Sequence, residues 1–180
     1  EDIPRASSLD GRPWDCDGYP GYLDWRDRTE KGIHVGGMVG HSAVRYYVMG
    51  ERSLDEGAAP TADEVDAMAA LVGDAVAAGA LGFSSSRTLR HRVPDGRFVP
   101  GTWADADELV ALAAAAGPRS VFEVAPRFDG DGPAEPRVDA ELAWMERVSH
   151  ETGCTITFNL TQTPEQGDHY RHAVALAHAA

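Results

Sequence analysis

Side chains that can bind an anion or pass a proton follow two short apolar runs of this sequence. His41 and Arg45 come after one run, and a run starting at Ala80 leads into Ser84-Ser85-Ser86, Arg87 and His91. An arginine guanidinium can bind a carboxylate through two parallel hydrogen bonds, and serine hydroxyls can also donate to it. The same residues have structural alternatives, because serines at strand ends satisfy backbone groups and arginines form ion pairs. On the functional interpretation, the candidate site residues are His41, Arg45, Ser84, Ser85, Arg87 and His91.

Two later runs add Glu123 and Asn159 as candidates. Glu123 lies between Phe122 and Val124, and a carboxylate buried inside a strand is costly unless it is paired, protonated or metal-bound. Asn159 stands near the end of the last apolar run. The sequence contains no GxSxG, SxxK or HExxH motif, so it reveals no nucleophile or metalloprotease site. The catalytic residues stay unknown at this stage.

Composition excludes two classes of partner. The 16 Lys and Arg residues against 29 Asp and Glu residues give a net charge of −13, which disfavours binding to a phosphate backbone. No apolar run approaches the roughly 20 residues needed to cross a bilayer, and the acidic start lacks the features of a signal peptide. We predict no nucleic-acid partner, no membrane partner and a cytoplasmic location.

Helix signals alternate with the apolar runs. Thr61 and Glu64 form a capping-box pattern, and Asp105 opens a second helix that ends at Gly117-Pro118. A third helix carries its apolar positions between Val138 and Val148 and ends at Gly153. The remaining predicted helices run from Thr163 to residue 180 and, with a weaker signal, from Gly18 to Thr29.

The four apolar runs predict parallel strands of an α/β fold. Strands that alternate with helices in this way are joined by right-handed crossovers, and no GxGxxG motif points to a nucleotide site. We predict a portion of a TIM-type (β/α)8 barrel, with about four βα units in a single partial domain over residues 1–180. The full barrel takes about 250 residues, so we expect a longer parent, and open sheet edges would promote self-association. The predicted strands are Ile33–Val39, Ala80–Phe83, Val121–Val124 and Thr155–Leu160.

Two stretches carry a family resemblance. They are "MVGHSAVRYYVMGE" and "GALGFSSSRTLRHRVPDGRFVPGTWADADEL", and the segment "EDIPRASSLDGRPWDCDGYPGYLDW" adds to them. The chain resembles the N-acyl-D-amino-acid deacylase (D-aminoacylase-like) branch of the amidohydrolase superfamily. The V-G-H-x-x-x-R stretch followed by V-M-G, and the G-A-x-G-x-S strand before a D-E-L helix, are similar to that branch. The resemblance is strong to about residue 112 and weaker beyond it.

The resemblance implies a metal-dependent TIM-barrel hydrolase that acts on an amide C–N bond of a small N-acyl amino acid. Such enzymes use zinc to activate water. This chain departs from the family ligand pattern, because it has no HxH and shows "VFEVAPRF" and "TFNLTQ" where the family has histidines. Asn159 stands in place of the second histidine and Glu123 lies near the first, so both are the metal-ligand candidates. The resemblance implies that the catalytic residues lie outside this span, so we expect the isolated segment to be inactive.

The resemblance also gives the other candidates a role in substrate binding. Arg45, Arg87 or the hydroxyls of Ser84 and Ser85 would bind the substrate carboxylate, and His41 would bond the acyl carbonyl or a metal ligand. The missing histidines support an alternative, a non-catalytic binding module on a degenerate barrel. A metal-independent barrel enzyme with phosphate-binding loops is a third hypothesis, which the scarcity of positive charge at the strand ends disfavours.

Overall fold

The computed structural model describes residues 16, 18–130, 133–161 and 167–179. Four strands and six α-helices lie within these ranges. The strands are β1 (Val39–Gly40), β2 (Gly82–Ser86), β3 (Val121–Ala125) and β4 (Thr155–Phe158). The helices are α1 (Gly18–Arg28), α2 (His41–Met49), α3 (Ala62–Ala77), α4 (Ala106–Ala116), α5 (Ala134–Thr152) and α6 (His169–Ala179), and a 3-10 helix spans Gly50–Leu54.

The four strands form one parallel sheet in the order β1-β2-β3-β4. The register places Gly40 beside Ser84, Ser84 beside Glu123 and Glu123 beside Thr157. Because every strand runs the same way, all carboxyl ends lie along one edge of the sheet. The predicted α/β portion built from four βα units is confirmed.

The helix predictions from start and stop signals are confirmed where the structure describes them, except at the beginning of the last helix. Thr61 Oγ1 accepts a hydrogen bond from the Glu64 N–H, and the Glu64 carboxylate accepts one from the Thr61 N–H. Asp105 caps α4, and Gly153 ends α5 in the left-handed conformation. The predicted start at Thr163 lies outside the described residues. Gly167 and Asp168 form a turn, with Gly167 at a φ of +55°, so the predicted helix is wrong at these two residues and α6 begins at His169.

Replacing Thr61 with alanine is expected to lower the free energy of unfolding by about 1 kcal/mol, because the first turn of α3 loses its cap. Thr61→Ser keeps the hydroxyl and should stay close to the parent in a urea titration.

The Arg52 side chain and then the Thr61 N–H hold the pKa of Glu64 at about 2 instead of 4.5. The ionised Glu64 carboxylate therefore stabilises the fold fully above pH 4.5, and this stabilisation is lost as the pH falls through 2.

The first predicted strand is largely wrong. Only Val39 and Gly40 pair with β2, whereas Ile33 is 77% exposed and Val35 is 49% exposed. The sheet contacts begin where Leu81 N–H donates to Gly37 O, so the earlier apolar residues have no strand partner among the described residues. The strand ends at Gly40, and His41 is the first residue of the next helix. Helix α2 therefore follows β1 with no loop between them.

The hydrophobic core lies between one face of the sheet and the helices. Phe83 and Phe122 stack with their ring centroids 4.1 Å apart, and Trp144 of α5 packs on Phe122. Met68 and Leu109, from α3 and α4, are fully buried in the same cluster. Since successive strand residues point to opposite faces, the neighbours of these phenylalanines point away from the helices.

No helix among the described residues has the length and apolar character to span a membrane.

Candidate active site

A groove of about 370 Å³ opens at the carboxyl ends of β1, β2 and β3. Parallel α/β enzymes place their sites at this edge, where loops after several strands meet. The groove brings together five predicted site residues from distant parts of the sequence, namely His41, Ser84, Ser85, His91 and Glu123. Its lining residues are Gly40, His41, Ser42, Ala43, Ser84, Ser85, Ser86, His91, Glu123 and Ala125.

His41 is the first residue of α2 and closes the back of this groove. Its Nδ1 lies 2.8 Å from Ser85 Oγ, and its Nε2 lies 2.8 Å from Glu108 Oε1. The ring is completely buried, and the backbone of Gly101 packs against it, since a Cβ on Gly101 would lie 2.8 Å from Nδ1. His41 and Ser85, which are 44 residues apart in the sequence, are therefore neighbours at the strand ends.

Arg45 lies one turn further along α2 and is also buried. Its guanidinium donates to Glu108 Oε2 at 3.1 Å and to the Ala58 carbonyl at 2.6 Å. Its Nε is buried without a hydrogen-bond partner. Arg45 is only 3% exposed, and the Glu108 carboxylate compensates its charge inside the protein. Substrate binding by Arg45 stays a prediction, and the observed bonds give it a structural role.

Arg87 follows β2 and points toward α5. Its Nε and Nη2 each donate to Glu141 at 3.1 Å, and Nη1 donates to the Ala104 carbonyl. The guanidinium also lies over the ring of Trp144, 5.2 Å from its centroid. This buried ion pair ties the end of β2 to α5. As with Arg45, binding of a substrate carboxylate by Arg87 remains a prediction.

Ser86 and His91 extend the groove along the edge of the sheet. Ser86 Oγ lies 2.5 Å from His91 Nδ1. His91 also lines a second, smaller depression that contains Asp129 and Asn159. Thr88 Oγ1 donates to Asp129 Oδ2 at 3.0 Å on the same side. The strand ends thus present hydroxyls, an imidazole and carboxylates along one continuous surface.

The metal candidates do not form a complete site among the described residues. Glu123 is exposed on the face of β3 that points away from the helices, so the expected burial of its carboxylate is wrong. Asn159 lies beyond β4 in the second depression. No group of three or more His, Cys, Asp or Glu residues that could hold a metal ion occurs in the described part of the chain. The described residues therefore do not fit zinc by themselves.

The sequence predictions missed two carboxylates that organise the site. Glu108 lies in the D-E-L stretch near the start of the second predicted helix, and neither Glu108 nor Glu141 is among the candidate site residues. Each is 2% exposed, and each binds a buried arginine. Their helical spacing carries the signal, because Glu108 lies four residues before the buried Leu112 and Glu141 lies three residues after the buried Val138. Acidic residues at core-facing positions require a cation nearby.

Comparison with known proteins adds homology to this geometry. An N-acyl-D-glutamate deacylase from Alcaligenes xylosoxydans xylosoxydans is 35% identical over 123 residues, which cover 68% of this chain and 22% of the relative. An uncharacterized protein from Mycobacterium tuberculosis is 28% identical over 141 residues, which cover 72% of this chain and 22% of the relative. No protein-family model matches the chain.

Two solved structures share the fold. The N-acyl-D-glutamate deacylase from Bordetella bronchiseptica, complexed with zinc and a phosphonate inhibitor, superposes with a TM-score of 0.67 at 28% identity. A D-aminoacylase that defines a novel subset of amidohydrolases superposes with a TM-score of 0.69 at 24% identity, which supports the fold alone. In both cases the match covers 90% of this chain and 31% of the solved chain.

The parallel α/β sheet and its groove at the strand ends define part of an amidohydrolase fold. The chain belongs to the N-acyl-D-amino-acid deacylase branch of the amidohydrolase superfamily. It spans less than a third of the length of the relatives that it matches, namely 22% of the curated deacylase and 31% of the solved ones.

Proposed function

We propose that this chain is the part of an N-acyl-D-amino-acid deacylase that forms one wall of the substrate site. The groove that gathers Ser84, His91 and Glu123 at the strand ends carries the proposal. The full protein would hydrolyse the amide bond of a small N-acyl amino acid within a closed (β/α)8 barrel. The similarity to an N-acyl-D-glutamate deacylase supports this substrate class.

The residues of this chain support binding and orientation more than bond cleavage. Ser84 lies on the open face of β2 and is partly exposed, so its hydroxyl is available to donate to a substrate carboxylate. The carboxylate of Glu123 lies beside Ser84 in the register and can accept a hydrogen bond or a proton at Oε1 or Oε2. The buried pairs behind the groove hold these strand ends in place.

We propose zinc as the cofactor of the whole protein, on the strength of the zinc-complexed neighbour. Since the described residues do not complete a ligand set, the other ligands would come from elsewhere in the protein, with Glu123 and Asn159 as the candidates in this chain. A cytoplasmic location and the absence of nucleic-acid and membrane partners remain proposals, as does self-association of the isolated chain through its open sheet edges.

The test is deacylation by the full-length protein that carries this chain. We expect turnover of N-acetyl-D-glutamate that depends on added zinc, and we expect Ser84→Ala to lower kcat/KM by about tenfold, the effect of one lost hydrogen bond. Ser149→Ala is the matched control, because Ser149 lies on α5 and its hydroxyl donates to the Cys154 carbonyl away from the groove. Equal activity of the parent and Ser84→Ala would contradict the assignment of Ser84.

A second candidate is a non-catalytic binding module on the same fold. The observation that favours it is the lack of a three-ligand metal group in the described residues. Mass spectrometry of the metal content and calorimetry with N-acetyl-D-glutamate separate the two. Binding of the ligand by a metal-free protein without any turnover would support the module and contradict the deacylase.

A further inference from the structure

Arg127 lies at the carboxyl-end edge of the sheet, beside the groove. It follows β3 by two residues, and Ala125, the last residue of β3, lines the groove. The Arg127 guanidinium lies over the ring of Trp103, 5.0 Å from the centroid. Trp103 follows Gly101 by two residues, and Gly101 packs on His41 at the back of the groove. Arg127 and Trp103 therefore meet next to the groove, one from the loop after β3 and the other from the loop after β2.

Arg127 is held in place from two sides. Its backbone N–H donates to Glu141 Oε2 at 3.1 Å, and Glu141 is 2% exposed. Its guanidinium contacts Trp103, and the ring of Trp103 packs edge-on against Phe98, with the two centroids 5.5 Å apart. A guanidinium that is already positioned loses less conformational freedom when it binds an anion. Arg127 is therefore a preorganised group at the rim of the groove.

The Arg127 guanidinium forms no ion pair and no hydrogen bond with the described residues, and its recorded contact is the ring of Trp103. Contact with an aromatic face uses the charge of a guanidinium and none of its N–H donors. Three other arginines near the strand ends are each paired with a carboxylate, namely Arg45 with Glu108, Arg87 with Glu141 and Arg90 with Asp129. The sequence holds 29 Asp and Glu against 16 Lys and Arg, so a shortage of carboxylates does not explain the difference. The donors of Arg127 are therefore available to a ligand that brings its own anion.

We propose that Arg127, positioned by Trp103, binds a carboxylate of the N-acyl amino acid substrate. A guanidinium matches the two oxygens of a carboxylate through parallel hydrogen bonds. The inference rests on the proposed function, which supplies a substrate with a carboxylate, and it names the residue that binds this group. An N-acyl glutamate carries both an α-carboxylate and a side-chain carboxylate, and the experiment distinguishes them.

Three substrates of the full-length protein test the assignment of Arg127. They are N-acetyl-D-glutamate, its α-amide, and N-acetyl-D-glutamine, in which the side-chain carboxylate is replaced by an amide. Arg127→Gln should lower kcat/KM for N-acetyl-D-glutamate by about tenfold to a hundredfold, mainly through KM, because one charged pair of hydrogen bonds is lost. The substitution should not affect the substrate that lacks the bound carboxylate, which is the α-amide for the α-carboxylate and N-acetyl-D-glutamine for the side-chain carboxylate. Equal losses on all three substrates, or no loss on any of them, would overturn the proposal.

Arg147→Gln is the matched control for Arg127→Gln. Arg147 pairs with Asp107 and Glu151 on the surface, so its replacement should leave kcat/KM for all three substrates unchanged. Arg127→Lys keeps the charge but loses the planar pair of donors, and it should recover part of the affinity that Arg127→Gln loses. A lysine variant that binds no better than the glutamine variant would contradict recognition of a negative charge at this position.

The positioning role of Trp103 is tested by comparing KM with kcat. Trp103→Leu removes the ring face that the Arg127 guanidinium contacts and should raise KM for N-acetyl-D-glutamate about fivefold with kcat unchanged. Trp103→Phe restores an aromatic face and should recover most of the loss. A leucine variant that loses kcat instead of affinity, or a phenylalanine variant that is no better, would contradict this role.

Calorimetry with D-glutamate, the product of deacylation, separates this inference from the proposed function. The Kd of the full-length protein for D-glutamate should rise about tenfold or more in Arg127→Gln and stay unchanged in Arg147→Gln. Binding that depends on Arg127 in a protein without turnover would support this inference and contradict the proposed function. Turnover that does not depend on Arg127 would overturn this inference alone, and a parent that neither binds D-glutamate nor hydrolyses N-acetyl-D-glutamate would overturn both.

Discussion

Replacing Glu108 with alanine is expected to lower the free energy of unfolding by about 3 to 5 kcal/mol, the cost of removing one partner of a buried ion pair. Glu108 is 2% exposed and binds both Arg45 and His41. Without its carboxylate, the Arg45 guanidinium keeps a buried charge, and among the described residues the Ala58 carbonyl is its remaining acceptor. Urea unfolding followed by circular dichroism measures the loss.

Asp107→Ala is the matched control for this prediction. Asp107 is the neighbouring residue in the first turn of α4, but its side chain is 81% exposed and pairs with Arg147 on the surface. Exposed ion pairs contribute about 0 to 1 kcal/mol, so this variant should stay close to the parent. Equal losses for the two variants would show that Glu108 contributes only to the helix terminus, and the buried pair would then contribute no stability of its own.

The direction of side chains on β2 and β3 was within reach of the sequence. Phe83 and Phe122 must face the core, and the alternation of strand residues then puts Ser85 on the core side and Ser84 and Glu123 on the open side. The position of a residue at a strand end does not tell which face its side chain occupies. A prediction from strand ends alone therefore gives Ser84 and Ser85 the same role and expects Glu123 to be buried.

Two other features depended on tertiary contacts that no local pattern encodes. Ile33 and Val35 have the composition of a strand, but the sheet begins only at Val39, where the chain reaches β2. The arginines were correctly placed near the strand ends, but their direction depends on Glu108 and Glu141, which come from helices 63 and 54 residues away in the sequence. Local signals such as the Thr61 capping box were sufficient for the helices because those signals act within one turn.

Replacing Gly82 with alanine is expected to cost at least about 3 kcal/mol, at the upper end of the range for overpacking a close contact. Gly82 is the first residue of β2 and pairs with Val121 of β3. Its φ is +151°, and a Cβ added there would lie 1.9 Å from the Val121 carbonyl oxygen. The backbone of β2 or β3 would have to move, since the Val121 atoms that the Cβ meets belong to the backbone and not to a flexible side chain.

This movement would also reach the candidate site, because the same strand pair sets Ser84 beside Glu123 two residues further on. We therefore expect Gly82→Ala to lose activity in the full-length protein beyond its loss of stability, with KM raised even at temperatures where the variant is folded. Gly57→Ala is the control, as an added Cβ there meets no atom within 4 Å. A Gly82→Ala protein with the stability and KM of the parent would show that the spacing of β2 and β3 does not determine the shape of the groove, and the binding role of Ser84 and Glu123 would lose its structural basis.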